Sequence, residues 1–146
     1  MIAMFEGDFA FLSNFDSSPF ELGGVHYPTV EHWFQAWKTR DPNIHLAIAA
    51  ATTPGKAKRM GRHVELRPDW EQIKVDVMRD GLRHKFSDPT LRDKLLATGD
   101  EELMEGNTWH DRTWGRCVCT KCGGQGQNLL GQLLMELREE IRNENK

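Results

Sequence analysis

The sequence lacks the features of a secreted or membrane-spanning protein. Its first 15 residues, MIAMFEGDFAFLSNF, have neither the basic start nor the continuous apolar run of a signal peptide. Nowhere do about 18 apolar residues run together, which is the length that a transmembrane helix requires. We therefore expect a cytoplasmic protein that has no membrane partner.

Cysteine is scarce, and basic residues are not in excess over acidic ones. Only three cysteines occur, all between Cys117 and Cys122, so they cannot form the disulfide framework of a small secreted domain. In a reducing compartment such closely spaced thiols indicate metal binding or redox chemistry. The net charge of −3 shows no general basic excess, which counts against a protein that binds nucleic acid over a broad surface.

The composition that remains is that of an ordinary folded domain. Apolar residues make up 38% of the 146 residues and charged residues 28%, and five tryptophans are available for a core. A chain of this length can bury a substantial core. No internal repeat, low-complexity segment or linker divides it, so residues 1–146 are expected to form one domain.

Apolar spacing, capping residues and prolines together predict a mainly α fold with five or six helices. The predicted helices cover residues 29 to about 41, 43–51, 53–61, a longer stretch opened by Pro68-Asp69, 88–99, and a last stretch from about residue 127. Residues 1–28 alternate short apolar pieces with turn residues, which predicts a small β-rich segment of short strands with a hairpin closed by Gly23-Gly24.

The first predicted helix, TVEHWFQAWKTR at residues 29–40, carries two stripes. At about 100° per residue, one face gathers the apolar side chains of Val30, Trp33, Phe34 and Trp37. Beside it lies a polar stripe with i, i+4, i+7 spacing, formed by Glu31, Gln35 and Lys38. A carboxylate, an amide and an amine at the edge of a buried face are typical of a site with shifted pKa values. A solvated acid–base pair has the same spacing.

Basic residues concentrate in the predicted third helix and directly after it. Lys56, Lys58 and Arg59 lie on this helix, and Arg62 and His63 follow it. Lysine and arginine near a helix end can bind phosphate groups, although a solvated basic face has the same composition.

The segment from residue 103 to residue 126 shows no periodicity but is rich in reactive side chains. Cys117, Cys119 and Cys122 form a C-x-C-x-x-C pattern, whose second half has metal-ligand spacing, and His110 is the local candidate for a fourth ligand. A structural zinc ion and free, buried thiols are both compatible with this pattern.

Five motifs in order resemble the NADAR family, also called YbiA-like, and together they cover nearly the whole chain. They are FLSNF at 11–15, YPTVEHWFQAWK at 27–38, AKRMGR at 57–62, DRTWG at 111–115 and GQNLLGQLLMELR at 126–138. The resemblance implies a compact YbiA-like multihelical single domain. It also implies an N-glycosidase, acting either on ADP-ribosylated guanine in nucleic acid or on phosphorylated ribosylamino-pyrimidine intermediates of riboflavin synthesis.

The resemblance further implies roles for individual residues. Glu31 and Asp111 would transfer protons and stabilise a cationic sugar, and Lys38 would position the substrate or attack an opened ribose as an amine. Arg62 would bind a phosphate. The other implied substrate-binding positions are Asn14, Phe15, Gln35, Trp70, Trp114, Gly115 and Asn128. No cofactor is expected for catalysis. The cysteine cluster departs from the family pattern, which has a short glycine-rich link between the WG piece and the last helix.

Two hypotheses from other classes stay open. One is a zinc-stapled module that binds nucleic acid or protein without chemistry, which the cysteines and Trp109 favour. The other is an ADP-ribose or nucleotide reader without catalysis, which the presence of Glu31, Lys38 and Asp111 disfavours. Within the enzyme interpretation we favour the ADP-ribosyl substrate, since the basic pieces and Trp109 suit an ADP-ribosylated nucleic acid.

Overall fold

A computed structural model describes residues 1–145, and its fold is mainly α, as predicted. A 3-10 helix at Gly7–Leu12 comes first and is followed by ten further elements. In chain order these are β1 (Phe20–Leu22), β2 (Val25–Tyr27), α1 (Val30–Ala36), α2 (Pro42–Ala49), α3 (Pro54–Gly61), α4 (Trp70–Lys85), α5 (Pro89–Ala97), β3 (Gly106–Asn107), β4 (Arg116–Cys117) and α6 (Leu129–Glu144).

Side-chain caps explain where four of the helices begin. Thr29 caps α1, Asp41 caps α2, Thr53 caps α3 and Asp88 caps α5, and each side chain accepts a hydrogen bond from a backbone N–H of the first turn. Proline occupies the first turn of α2, α3 and α5, where its missing N–H costs nothing. The starts at Thr29, Thr53 and Asp88 confirm the predicted boundaries, whereas the second helix, predicted to cover residues 43–51, begins at Pro42 behind the cap Asp41.

The predicted end of the first helix, near residue 41, is wrong, because α1 ends at Ala36. The backbone tightens after this residue, since Lys38 N donates to Gln35 O at 3.2 Å, three residues back. The carbonyl oxygen of Lys38 accepts a hydrogen bond from Arg67 N at 2.8 Å, and Asp41 already caps the next helix. Lys38 therefore lies in the turn after α1 rather than on the helix.

One compact unit of the chain comprises Asn14–Ser87, and α1 is its central element. All seven residues of α1 are buried. Trp33 on α1 donates from Nε1 to Val77 O of α4 at 2.8 Å, and Gly81 makes room for its ring, since a Cβ at position 81 would lie 2.6 Å from Trp33 Cδ1. Strands β1 and β2 form the predicted hairpin, closed by Gly23 and Gly24 with φ of +60° and +79°.

The other compact unit comprises Met1–Ser13 and the chain from Asp88 onwards. Helix α6 supplies its main apolar face, formed by the buried side chains of Leu130, Leu133, Leu134, Leu137 and Ile141. The segment predicted to be irregular contains the short parallel pair β3–β4, in which Asn107 faces Cys117. Among residues 1–145 no helix has the length and hydropathy of a membrane span.

The strands predicted in the first part of residues 1–28 are replaced by the 3-10 helix at Gly7–Leu12. Phe11 and Leu12 are both buried although they are neighbours, whereas a strand would place them on opposite faces. The backbone instead forms i to i+3 hydrogen bonds, from Phe9 N to Glu6 O at 3.0 Å and from Ser13 N to Ala10 O at 2.9 Å.

Candidate active site

The start of α1 brings three of the predicted site residues together. Glu31 is only 7% exposed, and its Oε1 accepts a hydrogen bond from Gln35 Nε2 at 2.8 Å, one helical turn away. Glu31 N donates to Asn14 O at 3.1 Å, which places Asn14 beside the first turn of the helix. The unit Asn14–Ser87 therefore holds the Glu31 carboxylate and the Gln35 amide in direct contact, with the backbone of the buried Asn14 beside Glu31.

Both amide side chains have an oxygen without a hydrogen-bond partner among the described residues, Asn14 Oδ1 and Gln35 Oε1. The Asn14 amide nitrogen donates to Met78 Sδ at 3.3 Å, and a thioether sulfur is a weak acceptor. Leaving a buried polar group unsatisfied costs about 1–3 kcal/mol, so such groups in a folded protein call for an explanation. A ligand that donates to these oxygens would supply it.

Lys38 is half-buried, and its environment lowers the pKa of its ammonium group. Burial is the largest cause. The Glu31 carboxylate opposes this effect, whereas the cationic side chains of Arg62, Lys58 and Lys74 add to it. A lysine with a lowered pKa has a larger neutral fraction near neutral pH, which is the form that can attack carbon or accept a proton.

The other predicted residues of this unit differ in exposure. Phe15 is 45% exposed, and Lys58 Nζ lies 5.8 Å from the centre of its ring. Arg62 is exposed. Trp70 is buried and packs against Phe34 with ring centres 5.1 Å apart. The ring of Trp70 is thus packed against the core residue Phe34, and its contact with a substrate stays a prediction.

Sequence reasoning missed two residues near this group. Lys58 belongs to the basic cluster of the third helix, but the family resemblance implies only Arg62 of this cluster as a phosphate ligand. Its proximity to both Phe15 and Lys38 depends on how α3 packs against α1. Met78, the partner of Asn14, had no signal beyond its place on the apolar face of α4.

Asp111 lies in the other unit, where hydrogen bonds from nearby backbone N–H groups and from the Asn107 side chain hold it in place. Its Oδ1 accepts from Thr113 N at 3.1 Å and from Trp114 N at 2.9 Å. Asn107, which is fully buried, donates from Nδ2 to Asp111 O at 2.8 Å and accepts at Oδ1 from Asp111 N at 3.1 Å. Nothing in the sequence pattern pointed to Asn107 as the residue that fixes Asp111.

Close backbone packing surrounds Trp114, Gly115 and Asn128. Trp114 O accepts from Leu130 N at 3.0 Å, and a Cβ at position 115 would lie 2.1 Å from the carbonyl oxygen of Glu105. Asn128 has a left-handed backbone with φ of +53°. Its side chain bonds to backbone at Leu103 O and at Glu105 N, 2.9 and 3.0 Å away. Contacts of these three residues with a ligand stay predictions.

The three cysteines and His110 converge, and their four donor atoms all lie within 4.8 Å of one another. His110 Nδ1 lies 3.3 Å from the Sγ atom of Cys122, 3.6 Å from that of Cys119 and 3.7 Å from that of Cys117. The backbone N–H of Cys122 contacts the Cys119 thiol and is the largest cause that lowers the pKa of Cys119 to about 6. The predicted ligand set is therefore assembled, and it could bind a metal ion.

Comparison with known proteins matches this architecture. The NADAR domain family model matches residues 4–142. The N-glycosidase YbiA of Escherichia coli (strain K12) is 42% identical over 137 residues, which cover 92% of this chain and 82% of that protein. An NMR structure of E. coli YbiA superposes with a TM-score of 0.83 at 39% identity, covering 99% of this chain and 89% of that one.

Two further relatives carry different names. The N-glycosidase Npun_R5314 of Nostoc punctiforme is 41% identical and covers 90% of this chain and 85% of that protein. The riboflavin biosynthesis protein VVA0006 of Vibrio vulnificus is 38% identical, but the match covers 90% of this chain and only 35% of that protein.

The fold, the family model and these relatives define an enzyme, a hydrolase that acts on N-glycosyl compounds. The chain belongs to the NADAR family. The resemblance noted in the five sequence motifs is thereby confirmed.

Proposed function

We propose that the enzyme removes ADP-ribose from modified guanine bases in nucleic acid by hydrolysing the bond between ribose C1 and a base nitrogen. The observation that carries the proposal is the pairing of a buried Glu31 with a Lys38 of lowered pKa, in a unit that also holds two buried amide oxygens without a partner among the described residues. This combination supplies a proton donor or acceptor, a cation or nucleophile, and two acceptors for sugar hydroxyl groups.

Cleavage of an N-glycosyl bond needs three actions. The leaving nitrogen must be protonated, positive charge at C1 must be stabilised, and a nucleophile must then take this carbon. In the proposed reaction a carboxyl group gives its proton to the nitrogen, and water adds hydroxide to C1 while its remaining proton restores the carboxyl group. Glu31 and Asp111 carry these proton transfers, and the ionised carboxylate stabilises the cationic sugar.

Lys38 has two roles to choose between. As a cation it would hold a phosphate or hydroxyl oxygen of the substrate. As a neutral amine it would attack C1 of a ring-opened ribose and displace the base nitrogen, which leaves with a proton from a carboxyl group. Water would then hydrolyse the Schiff base between Lys38 and the sugar, which releases the sugar and regenerates the amine. Its lowered pKa supports the second role because burial disfavours the charged form.

Basic side chains and an exposed ring support the ADP-ribosyl substrate. Lys58, Arg62 and Lys74 all act electrostatically on Lys38, so positive charge surrounds its amine and favours a diphosphate. Phe15 offers an exposed ring on which an adenine or guanine can stack. In this proposal the partner is ADP-ribosylated nucleic acid, the reaction occurs in the cytoplasm, and no membrane takes part.

The alternative substrate is a phosphorylated ribosylamino-pyrimidine intermediate of riboflavin synthesis, which the name of the Vibrio vulnificus relative favours. The test is to incubate the enzyme with each substrate class and to identify the products by mass spectrometry. Free ADP-ribose together with the unmodified oligonucleotide, formed from an ADP-ribosylated oligonucleotide, would support the first substrate. Release from the pyrimidine phosphate alone would replace it, and no release from either would contradict the proposed function.

We also propose that zinc is the ion held by His110 and the three cysteines, in a structural role in which the ion itself does not take part in bond cleavage. In tetrahedral zinc, with Zn–S of about 2.3 Å and Zn–N of about 2.0–2.1 Å, ligand nitrogen and sulfur lie about 3.5 Å apart. The three separations from His110 Nδ1, at 3.3, 3.6 and 3.7 Å, fit this geometry. Metal analysis should find about one zinc per chain. A metal-free protein with three titratable thiols would contradict this proposal.

A further inference from the structure

The cysteine cluster and Asp111 are adjacent in the chain and share one hydrogen-bond system. His110 directly precedes Asp111, and Cys117 follows it by six residues. Ligands to a single ion would therefore hold the chain on both sides of Asp111. A bound metal ion would therefore affect the position of Asp111, which a structural ion far from this residue would not do.

The backbone conformation of His110 is unfavourable for a residue with a side chain and therefore needs a stabilising contact. His110 has φ of +69°, in the left-handed region that residues with a side chain seldom adopt. The residue is exposed, so burial in a core does not explain the conformation. Its Nδ1 points at the three thiols, and a bond from this nitrogen to a metal ion would fix the residue in place.

On the other side, Cys117 connects the cluster to the residue that clamps Asp111. Asn107 of β3 pairs with Cys117 of β4, and Val118 N donates to Asn107 O at 2.7 Å. The buried amide of Asn107 then bonds to both the N–H and the carbonyl oxygen of Asp111. Cys117, Asn107 and Asp111 thus form a continuous chain of contacts.

The Asp111 side chain depends on the same segment. Among the described residues, Thr113 N and Trp114 N both donate to Oδ1. This geometry leaves Oδ2 to exchange a proton with substrate or water. If the turn at residues 111–114 opened, the carboxylate would lose its orientation together with its two donors.

We infer that His110 and Asn107 are positioning residues for Asp111, and that metal binding at the cysteine cluster fixes the Asp111 carboxylate in its reactive orientation. The inference rests on the proposed function, because it assigns Asp111 to proton transfer. It goes beyond a structural ion, since it makes the rate of the chemical step depend on metal occupancy. Partners that orient metal ligands typically contribute about 10- to 100-fold to metal affinity or activity, and we expect an effect of the same order for the orientation of Asp111.

The test compares purified holoprotein with protein stripped of metal by a chelator, and follows kcat, KM and hydrogen exchange. Metal loss should lower kcat by about 10- to 100-fold with a smaller change in KM. It should also speed amide exchange at residues 107–117 while α4 stays protected. Added zinc should restore both. Unchanged kcat in metal-free protein would overturn the inference.

Two sets of variants separate positioning from general support of the fold. His110→Ala should lower both zinc content and kcat, whereas His110→Cys keeps a fourth ligand and should retain most of both. Thr120→Ala, an exposed position in the same loop, is the matched control and should behave as wild type. In the Asp111→Asn background metal removal should cost little further kcat, because the group that the ion positions is already gone. An equal additional loss there would overturn the inference.

Failure of the proposed function gives a different result. If wild-type holoprotein turns over neither substrate class, the catalytic roles proposed for Glu31, Lys38 and Asp111 are wrong. The metal dependence of amide exchange at residues 111–115 then still decides whether the ion holds this segment.

Discussion

Gly61 of α3 faces the side chain of Gln35 so closely that a Cβ at position 61 would lie 1.9 Å from Gln35 Oε1. The same amide donates to Glu31 Oε1. Gly61→Ala should therefore displace the Gln35 amide and break its hydrogen bond to Glu31. We expect a clear loss of kcat/KM, measured on whichever substrate the enzyme cleaves, with the helical content retained in circular dichroism.

Gly55 in the same helix provides the matched control. A Cβ at position 55 would meet its nearest atoms at 3.8 and 3.9 Å, which is ordinary contact. Gly55→Ala should leave activity unchanged and, through the better helix propensity of alanine, change stability in the favourable direction by up to about 1 kcal/mol. Equal activity of the two variants would show that the Gln35 contact has no part in the site.

Glu31 and Asp111 supply the second prediction. Glu31→Gln and Asp111→Asn preserve size but cannot exchange a proton, so each should lower kcat by about 10²- to 10⁴-fold, the usual contribution of general acid–base catalysis. Thermal unfolding should show that both variants still fold. Glu65→Gln and Asp93→Asn, at exposed positions, are the controls and should keep wild-type rates. Normal turnover by both site variants would remove the carboxylates from the mechanism.

Local signals predicted the elements of the fold well. Thr29, Asp41, Thr53 and Asp88 cap helices because their side chains bond to the next backbone N–H groups, an interaction that depends only on neighbouring residues. The end of α1 could not be predicted in the same way. It depends on Arg67, nearly 30 positions further along the chain, whose backbone N–H donates a hydrogen bond to the carbonyl oxygen of Lys38.

The same distinction holds for the candidate site: contacts within one helix or loop could be predicted from the sequence, and contacts between distant segments could not. The i, i+4 spacing of Glu31 and Gln35 predicted their contact because both lie on one helix. The closeness of His110 to the cysteines followed from ligand chemistry within one loop. The clamp of Asn107 on Asp111 and the contact of Asn14 with Met78 arise from packing between segments, which no periodicity in the sequence encodes.

His32 gives a prediction for stability against pH. Burial is the main cause that lowers its pKa below the usual 6.5, although the hydrogen bond between Nε2 and Ala51 O, 2.9 Å long, opposes this shift. As the pH falls below 6.5 the unfolded imidazole takes up a proton before the folded one does, so the free energy of unfolding decreases until the lowered pKa is reached.

Urea unfolding at several pH values between 5 and 8 would measure this effect, since the pKa of histidine lies in this range. His32→Gln should flatten the decrease, although His45, whose pKa burial also lowers, should keep part of it. His63→Gln, at an exposed position, should keep the wild-type slope. An identical slope in the His32 variant would show that this imidazole does not contribute to acid sensitivity.

Lys38 provides the last prediction, which separates its two roles. If Lys38 acts only as a cation, Lys38→Arg should keep most of the activity because arginine preserves the charge. If its neutral amine attacks the sugar, Lys38→Arg should be as damaging as Lys38→Ala, since guanidinium stays protonated and is not nucleophilic at neutral pH. The rate should then rise with pH through the lowered pKa of Lys38, because only the neutral form reacts.

Trapping with borohydride completes the distinction. Reduction during turnover should fix the sugar to the wild-type enzyme, and peptide mass spectrometry should place the added mass on the peptide that contains Lys38. Lys74, a second lysine of the same unit that also acts electrostatically on Lys38, is the internal control and should carry no adduct. If Lys38→Arg is nearly fully active and no adduct forms, the covalent route is wrong. Glu31 and Asp111 must then carry the reaction with water as the nucleophile.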